Sequence, residues 1–349
     1  MPLRVGPCDF GELSRVGTAV FDHPGRHSRP YRWRSLFARP LLLVASAAFS
    51  CSLSAAERGM SPFRMLAIDL DGTLLSADGK VSPRNRAAIH GALAAGLVVC
   101  FATGRNLTEC QAVLRAVGHY DAAVFVGGAM VIDTRTGTTL HRTTMHPDLA
   151  REACGLFESL GHAALALQDT SIAGVDYLVT GSIPLNHATR QWMDITAAAV
   201  HPVPTLADAA HEHTVRVGIC SDADEARRVQ KRVLEALGDR AVCHSLYVAA
   251  YGVEVIEVFD PAVNKWSGVM HVARRHGIRP EQIVAIGDDV NDVPMLRAAG
   301  LGVAMGNARP EAIAAADRVI GRVDQDGLAA FIEELLDAAP TAPAEAQTR

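Results

Sequence analysis

Asp69 and Asp71 stand two positions apart in "FRMLAIDLDGTLLSADG", Phe63 to Gly79, with an apolar run before them and Gly72-Thr73 directly after. Met65, Leu66, Ala67 and Ile68 read as a short strand buried within a parallel sheet. Asp69 then falls at the carboxyl end of that strand, where open α/β sheets place their ligands. Strand side chains alternate between faces, so both acids share a side if the backbone stays extended. Gly72 permits a sharp departure from strand geometry just beyond them. Carboxylates so placed can serve as nucleophile, proton carrier or cation ligand. The plainer alternative, for this pair alone, is a strand that ends in a solvated Asx turn.

Three further stretches hold groups of the same kind. "FATGR" brings Thr103 and Gly104 to the end of an apolar run, "GDDVND" brings Asp288, Asp289, Asn291 and Asp292 to the end of "IVAI", and "NKW" holds Lys265. Each has a bland reading beside the functional one. Thr103 could cap a helix, Lys265 could be a solvated helix residue, and Asp289 a surface acid. Yet only three of the 33 basic side chains are lysines, Lys80, Lys231 and Lys265. A lysine at a chemically useful position is therefore an informative coincidence.

These groups need elements to hold them. "PRNRAAIHGALAAG", Pro83 to Gly96, reads as a helix capped by Ser82 and opened by Pro83, with a stripe at positions 88, 89, 92, 93 and 95. "LVVCFATGR" follows as a strand, "NLTECQAVLRAVG" as a helix and "AAVFVGGAMVID" as a third strand. This alternation with short joins predicts right-handed crossovers in a parallel sheet. It resumes with "QIVAIGDDVNDVPMLRAAG", "GLGVAMGNA", "PEAIAAADRVI" and "DGLAAFIEELLDA". In between, "HPDLAREACGLFESLG" and "SDADEARRVQKRVLEALG" read as helices, while "HTVRVGICS" and "CHSLYVAAYGVEVIEV" read as antiparallel strands. That change of pattern indicates an α+β domain at 141–247, inserted between core segments 61–140 and 248–338. His-Glu-His at 211–213 reads as a solvated approach to a strand, because adjacent residues do not converge as metal ligands.

The chain of 349 residues allows about two domains. Its 49% hydrophobic and 20% charged residues suit a globular protein rather than disorder. A net charge of −5 points to neither nucleic acid nor an anionic membrane. Seven cysteines without a CxxC pair suggest no disulfide framework or zinc site, and fit a reducing cytoplasm. Residues 1–60 stand apart, with eight arginines, no lysine and four acids. Their "PLLLVASAAFSCSLSAA" resembles an export signal, which would place the protein in the periplasm. The favoured alternative is a start assigned too far upstream, since Met60 and Met65 both stand at the first strand. The tail 339–349 is expected to be disordered.

Taken in order, "DLDGTLL", "FATGR", "NKW" and "GDDVND" resemble the four motifs of the haloacid dehalogenase superfamily. The resemblance runs over residues 63–337 and is nearest to the Cof-type, class IIB sugar-phosphate phosphatases. It implies an α/β fold, a Rossmannoid parallel-sheet core with an inserted α+β cap. It also implies a Mg²⁺-dependent phosphatase that acts on a small organic phosphomonoester through a phospho-aspartyl intermediate. On the family pattern Asp69 is the nucleophile and a metal ligand, and Asp288 is a second ligand. Asp71 is the acid and base, and its backbone carbonyl also binds the metal. Thr103, Gly104, Lys265 and Asn291 hold the phosphate, while Asp289 and Asp292 orient Lys265 or metal-bound waters.

The chemistry agrees with that pattern. Phosphate monoesters hydrolyse so slowly that an enzyme supplies up to ~20 kcal/mol or more. A carboxylate nucleophile splits the reaction in two, and a divalent cation offsets the repulsion between anions. About ten residues separate Asp71 from the Ser82 cap, too few for a domain, whereas more than 100 separate the third strand from Lys265. Two departures stand out: Gly127-Gly128-Ala129 where the family often has Asn-Gly-Ala, and Trp266-Ser267-Gly268 after the lysine. A halide-releasing relative would not need Asp71, and a non-catalytic sugar-phosphate sensor would be expected to have lost Asp69, Asp71 or Lys265. A phosphomutase is the other alternative. The expected partner is a small phosphorylated metabolite, with no nucleic acid or membrane, and the chain a monomer or homodimer. Sugar phosphates, phosphorylated vitamins and nucleotides all remain open, with "DTSIAGVD" (Asp169 to Asp176) as candidate specificity contacts.

Overall fold

The computed structural model describes residues 63–338, with 120, 197 and 250 excepted, so the readings of residues 1–60 and of the tail lie outside the described residues. In chain order the strands are β1 (Met65–Ile68), β2 (Val98–Phe101), β3 (Ala122–Phe125), β4 (Met130–Asp133), β5 (Thr139–Arg142), β6 (Leu165–Gln168) and β7 (Tyr177–Thr180). They continue as β8 (Val200–Val203), β9 (Thr214–Ser221), β10 (Val242–Val248), β11 (Val253–Phe259), β12 (Ile283–Gly287), β13 (Leu301–Ala304) and β14 (Arg318–Val319).

Five of them form a parallel sheet in the order β14-β13-β12-β1-β2. Strand β1, with a neighbour on each side, is apolar throughout because helices cover both faces. Leu66 and Ile68 pack with Ile89, Leu114 and Ile332 on one side. Met65 and Ala67 pack with Val269, Val272 and Met295 on the other. Burying each Leu or Ile contributes about 1.5–3 kcal/mol. The register then decides the chemistry: Ile68 stands opposite both Ile286 and Phe101. The carboxyl ends of β1, β12 and β2 therefore lie side by side, and Asp69, Asp288 and Thr103 follow them closely.

The helix Pro83–Ala94 forms as its sequence predicts, with Ser82 Oγ accepting from the Asn85 amide at 3.0 Å. Its buried stripe is narrower than read, since Leu93 is 39% exposed. The segment "AAVFVGGAMVID" is not one strand. It folds into the hairpin β3–β4, which continues to β5 as a separate three-stranded antiparallel sheet. Gly128 causes the turn: it takes φ +107, and a Cβ there would stand 1.9 Å from the carbonyl oxygen of Asn264. That close approach seats the start of the helix Lys265–Arg275 against the core. A single parallel bridge, Ala102 to Val124, links β3 to the end of β2.

The remaining strands form a six-stranded sheet, β10-β11-β9-β6-β7-β8, antiparallel except for β7 with β8. The helices Pro147–Ser159 and Ala223–Leu237 cover one face through Phe157, Val229 and Val233. Strand β11 belongs to this sheet, which thus runs to Phe259, past the 247 boundary read from sequence. The hairpin β10–β11 pairs over its whole length, so no boundary falls within it. Along β11, Ile256 and Val258 pack under the helices while Val255 and Glu257 turn to the opposite face. No helix among the described residues is long and apolar enough to cross a membrane.

Candidate active site

Asp69 sits just past β1, 4% exposed, its amide donating to the Ile286 carbonyl at 3.0 Å. Lys265 reaches it from the first position of its helix, whose cap is Asn264. The ammonium donates to Asp69 Oδ1 and to Asp292 Oδ1, both at 2.6 Å, and the side chain is 1% exposed. Lys265 is thus no solvated helix residue. Burial works against its charge, but Asp292 and Asp69 outweigh burial and hold its pKa above the usual lysine value. Asp292 is fully committed, since its Oδ2 accepts from the Asp288 and Asp289 amides at 2.9 and 3.0 Å.

Asp288 completes the acidic centre. Oxygens of Asp69, Asp288 and Asp292 lie within 4.8 Å of one another. Thr73 Oγ1 donates to Asp288 Oδ1 at 3.1 Å, and Asn307 Nδ2 approaches its Oδ2 at 3.4 Å. Gly72 makes the room: its φ is +79, and a Cβ would stand 2.1 Å from Asp288 Oδ2. Burial, then the neighbouring acids Asp69, Asp292 and Asp289, push Asp288 up to about 9. Burial likewise pushes Asp69 up to about 7, with Lys265 opposing and Asp292 and Asp71 adding to the rise. Two carboxylates therefore face each other with only one ammonium nearby. An all-oxygen donor set with uncompensated negative charge fits a hard divalent cation.

The other predicted residues surround this centre. Arg105 grips Asp71 with two hydrogen bonds, one from Nε at 2.8 Å and one from Nη2. Its guanidinium lies 5.0 Å from the ring centre of Tyr251. Thr103 is buried and caps no helix; its Oγ1 accepts the Arg105 amide at 3.1 Å, and Asn106 caps the next helix. Asn291 is buried beside Gly104, with its Oδ1 lacking a partner among the described residues. Asp289 meets Arg309 at 3.3 Å and bonds its own neighbour Val290, and its bonds do not include Lys265. Burial raises its pKa.

A cavity of about 280 Å³ opens over these strand ends. The core lines it with Asp69, Asp71, Gly104, Arg105, Asp288 and Asn291, and the six-stranded sheet with Arg216, Val255 and Glu257. The stretch Asp169–Asp176 does not line it. Instead Asp169 pairs with Arg142 at 2.8 Å, and Asp176 accepts from Thr108 and Thr170. His211 is likewise not solvated: it is 3% exposed and bonded to Thr214 Oγ1 and the Leu206 carbonyl.

A family model described as haloacid dehalogenase-like hydrolase matches residues 66–332. The chain belongs to that family. An HMP-PP phosphatase of Enterobacter sp. (strain 638) is 28% identical, across 78% of this chain and 96% of that protein. A chloroplastic endoribonuclease YBEY of Arabidopsis thaliana is 30% identical across 76% of this chain, which spans only 45% of the plant protein. Among solved structures, a haloacid dehalogenase-like hydrolase from Bacteroides thetaiotaomicron superposes with a TM-score of 0.65 at 20% identity, covering 78% of this chain and 99% of that one. A subclass IIB sugar phosphatase gives 0.66 at 23% identity, covering 78% and 98%.

The family match, this fold and the likeness to HMP-PP phosphatases together support a Cof-type hydrolase. Four polar residues at the site carry no role in the motif reading. Arg105 closes "FATGR" and so was in plain view. Asn307, in "GLGVAMGNA", donates to the Gly72 carbonyl at 2.8 Å and holds that loop. Arg216 and Glu257 come from the six-stranded sheet, and their only sequence signal is a charge inside a strand, weak for Glu257 because Glu254 stands in the same strand.

Proposed function

We propose that this hydrolase is a Mg²⁺-dependent phosphatase that cleaves a small phosphomonoester, a sugar phosphate or phosphorylated cofactor, through a phosphoryl group carried on Asp69. The observation that carries the reading is the buried Asp69–Lys265–Asp292 chain beside Asp288 at the floor of the cavity. The HMP-PP phosphatase relatives support a small phosphorylated substrate. The six-stranded unit acts as the cap over the site, and the five cysteines among the described residues, all free, suit a reducing cytoplasm.

In the first step an Asp69 oxygen attacks phosphorus, the bond from phosphorus to the ester oxygen breaks, and Asp71 delivers a proton to that oxygen. In the second, Asp71 takes a proton from water as the water oxygen attacks phosphorus, which releases phosphate and restores Asp69. Lys265, Thr103, the Gly104 amide and Asn291 hold the phosphoryl oxygens between the steps. Asp69, Asp288 and the Asp71 carbonyl would hold Mg²⁺, which when bound offsets the negative charge of the reacting groups. The test is phosphate release from a panel of small phosphoesters, with and without chelator, followed by mass spectrometry of acid-quenched protein. Mg²⁺-dependent release with phosphate on the Asp69 peptide is expected. No release from any ester, or phosphate on Asp71, overturns the reading.

A further inference from the structure

Strand β11 reads "VEVIEVF", and Glu257 within it is 4% exposed. Its Oε1 accepts from Arg216 Nη1, while its Oε2 has no partner among the described residues. A carboxylate so deeply buried ordinarily has partners for both oxygens. Arg216 cannot turn to supply the second, because it also donates to the Gly104 carbonyl and to the Tyr177 hydroxyl, each at 2.8 Å. The free oxygen lies close to Gly104. A Cβ built on Gly104 would stand 3.9 Å from Glu257 Oε2 and 3.9 Å from Asn291 Nδ2. Glu257 lines the cavity there, and Leu246, Val248 and Val255 make the wall beside it apolar.

An anionic phosphoryl group would be repelled by this carboxylate, so the group that meets it must be a hydrogen-bond donor on another part of the ligand. We propose that Glu257 is a specificity-determining residue, accepting a hydrogen bond from a hydroxyl or amino group of the substrate's leaving group near the ester oxygen. The inference rests on the phosphatase reading above and narrows its substrates to hydroxylated or aminated phosphomonoesters. Arg216 is a positioning residue that fixes Glu257 while bonding the six-stranded unit to the Gly104 carbonyl.

The test measures kcat/KM on matched esters in Mg²⁺: glycerol 1-phosphate against n-propyl phosphate, and 2-aminoethyl phosphate against ethyl phosphate. In the wild type at least one donor-bearing ester should be preferred by about ten- to a hundredfold, the worth of a hydrogen bond to a charged group. In Glu257→Gln the amide oxygen takes over the Arg216 bond and an NH₂, a donor, replaces the free accepting oxygen, so that preference should fall to within about threefold. Absence of any preference in the wild type overturns the proposal whether or not the variant folds. So does a preference that survives in a folded Glu257→Gln protein. Failure of the phosphatase reading is a different result, no phosphate released from any ester of the panel.

Discussion

Lys265 Nζ stands 2.6 Å from Asp69 Oδ1, a contact across 196 positions of the chain, and both side chains are buried. The same ammonium holds Asp292, so its loss strands two buried acids at once. Lys265→Met should lower stability by about 3–5 kcal/mol, the usual cost of breaking a buried pair. It should also cut turnover by at least ~10²-fold, as for loss of an electrostatic stabiliser. Urea denaturation and steady-state kinetics measure the two. A variant as stable and active as wild type would remove Lys265 from the site.

The acidic centre predicts a stability that depends on pH and metal. Asp288 is raised to about 9 and Asp69 to about 7, from an ordinary 3.8, by burial and neighbouring charge. The folded protein therefore holds protons that the unfolded chain has released. That contribution is complete below about pH 4 and is lost as pH rises through 7 to 9. In chelator, the thermal midpoint should fall across that upper range. Added Mg²⁺ should restore it, more at pH 8 than at pH 5, because metal competes with protons. A metal-free midpoint that is flat or rising from pH 7 to 9 would contradict this.

Asp288 and Asp289 are adjacent but differently placed, one against Asp69 and the other on Arg309. Asp288→Ala should abolish Mg²⁺-dependent activity, while Asp289→Ala should cost much less. Gly72→Ala should act like a weaker Asp288→Ala, because its Cβ would strike Asp288 Oδ2. Activity titrated against Mg²⁺ ranks the three. A greater loss in Asp289→Ala would reverse the assignment.

Asp71 is held by the fork of Arg105 at the cavity wall. Asp71→Asn keeps its shape but cannot exchange the proton, and should slow turnover by roughly 10²–10⁴-fold. The loss should shrink with p-nitrophenyl phosphate, whose leaving group barely needs a proton. An equal loss on alkyl and nitrophenyl esters would argue that Asp71 does something other than protonate the leaving oxygen.

His244 gives a second pH effect with the opposite sign. Burial, with Lys265 adding to it, lowers its pKa to about 4 from 6.5. The unfolded chain takes up a proton that the folded protein refuses, so this contribution is full above pH 6.5 and is lost as pH falls through 4. The stability gap between wild type and His244→Gln should therefore narrow on acidification from pH 7 to 4. Parallel stability curves over that range would show that His244 titrates normally.

The local pattern was enough to determine the strands that end in Asp69, Thr103 and Asp288, and the helix capped by Ser82. Apolar runs bounded by glycines and acids announce strand ends over a few residues, and helix caps are just as local. That the core sheet is parallel follows from strands and helices in alternation, whereas the pairing of β12 with β1 that sets those ends side by side is seen only in the fold. Other features were decided only by packing between distant segments. The Gly127-Gly128 turn splits an apparent strand because Asn264, far along the chain, comes against it. Asp169 to Asp176 turns away from the cavity toward Arg142, whereas Arg216 and Glu257 turn toward it. Spacing along a strand tells which residues share a face, but the face that meets the core is chosen by how the six-stranded sheet docks. That choice rests on contacts spread over more than 100 residues, which no short motif records.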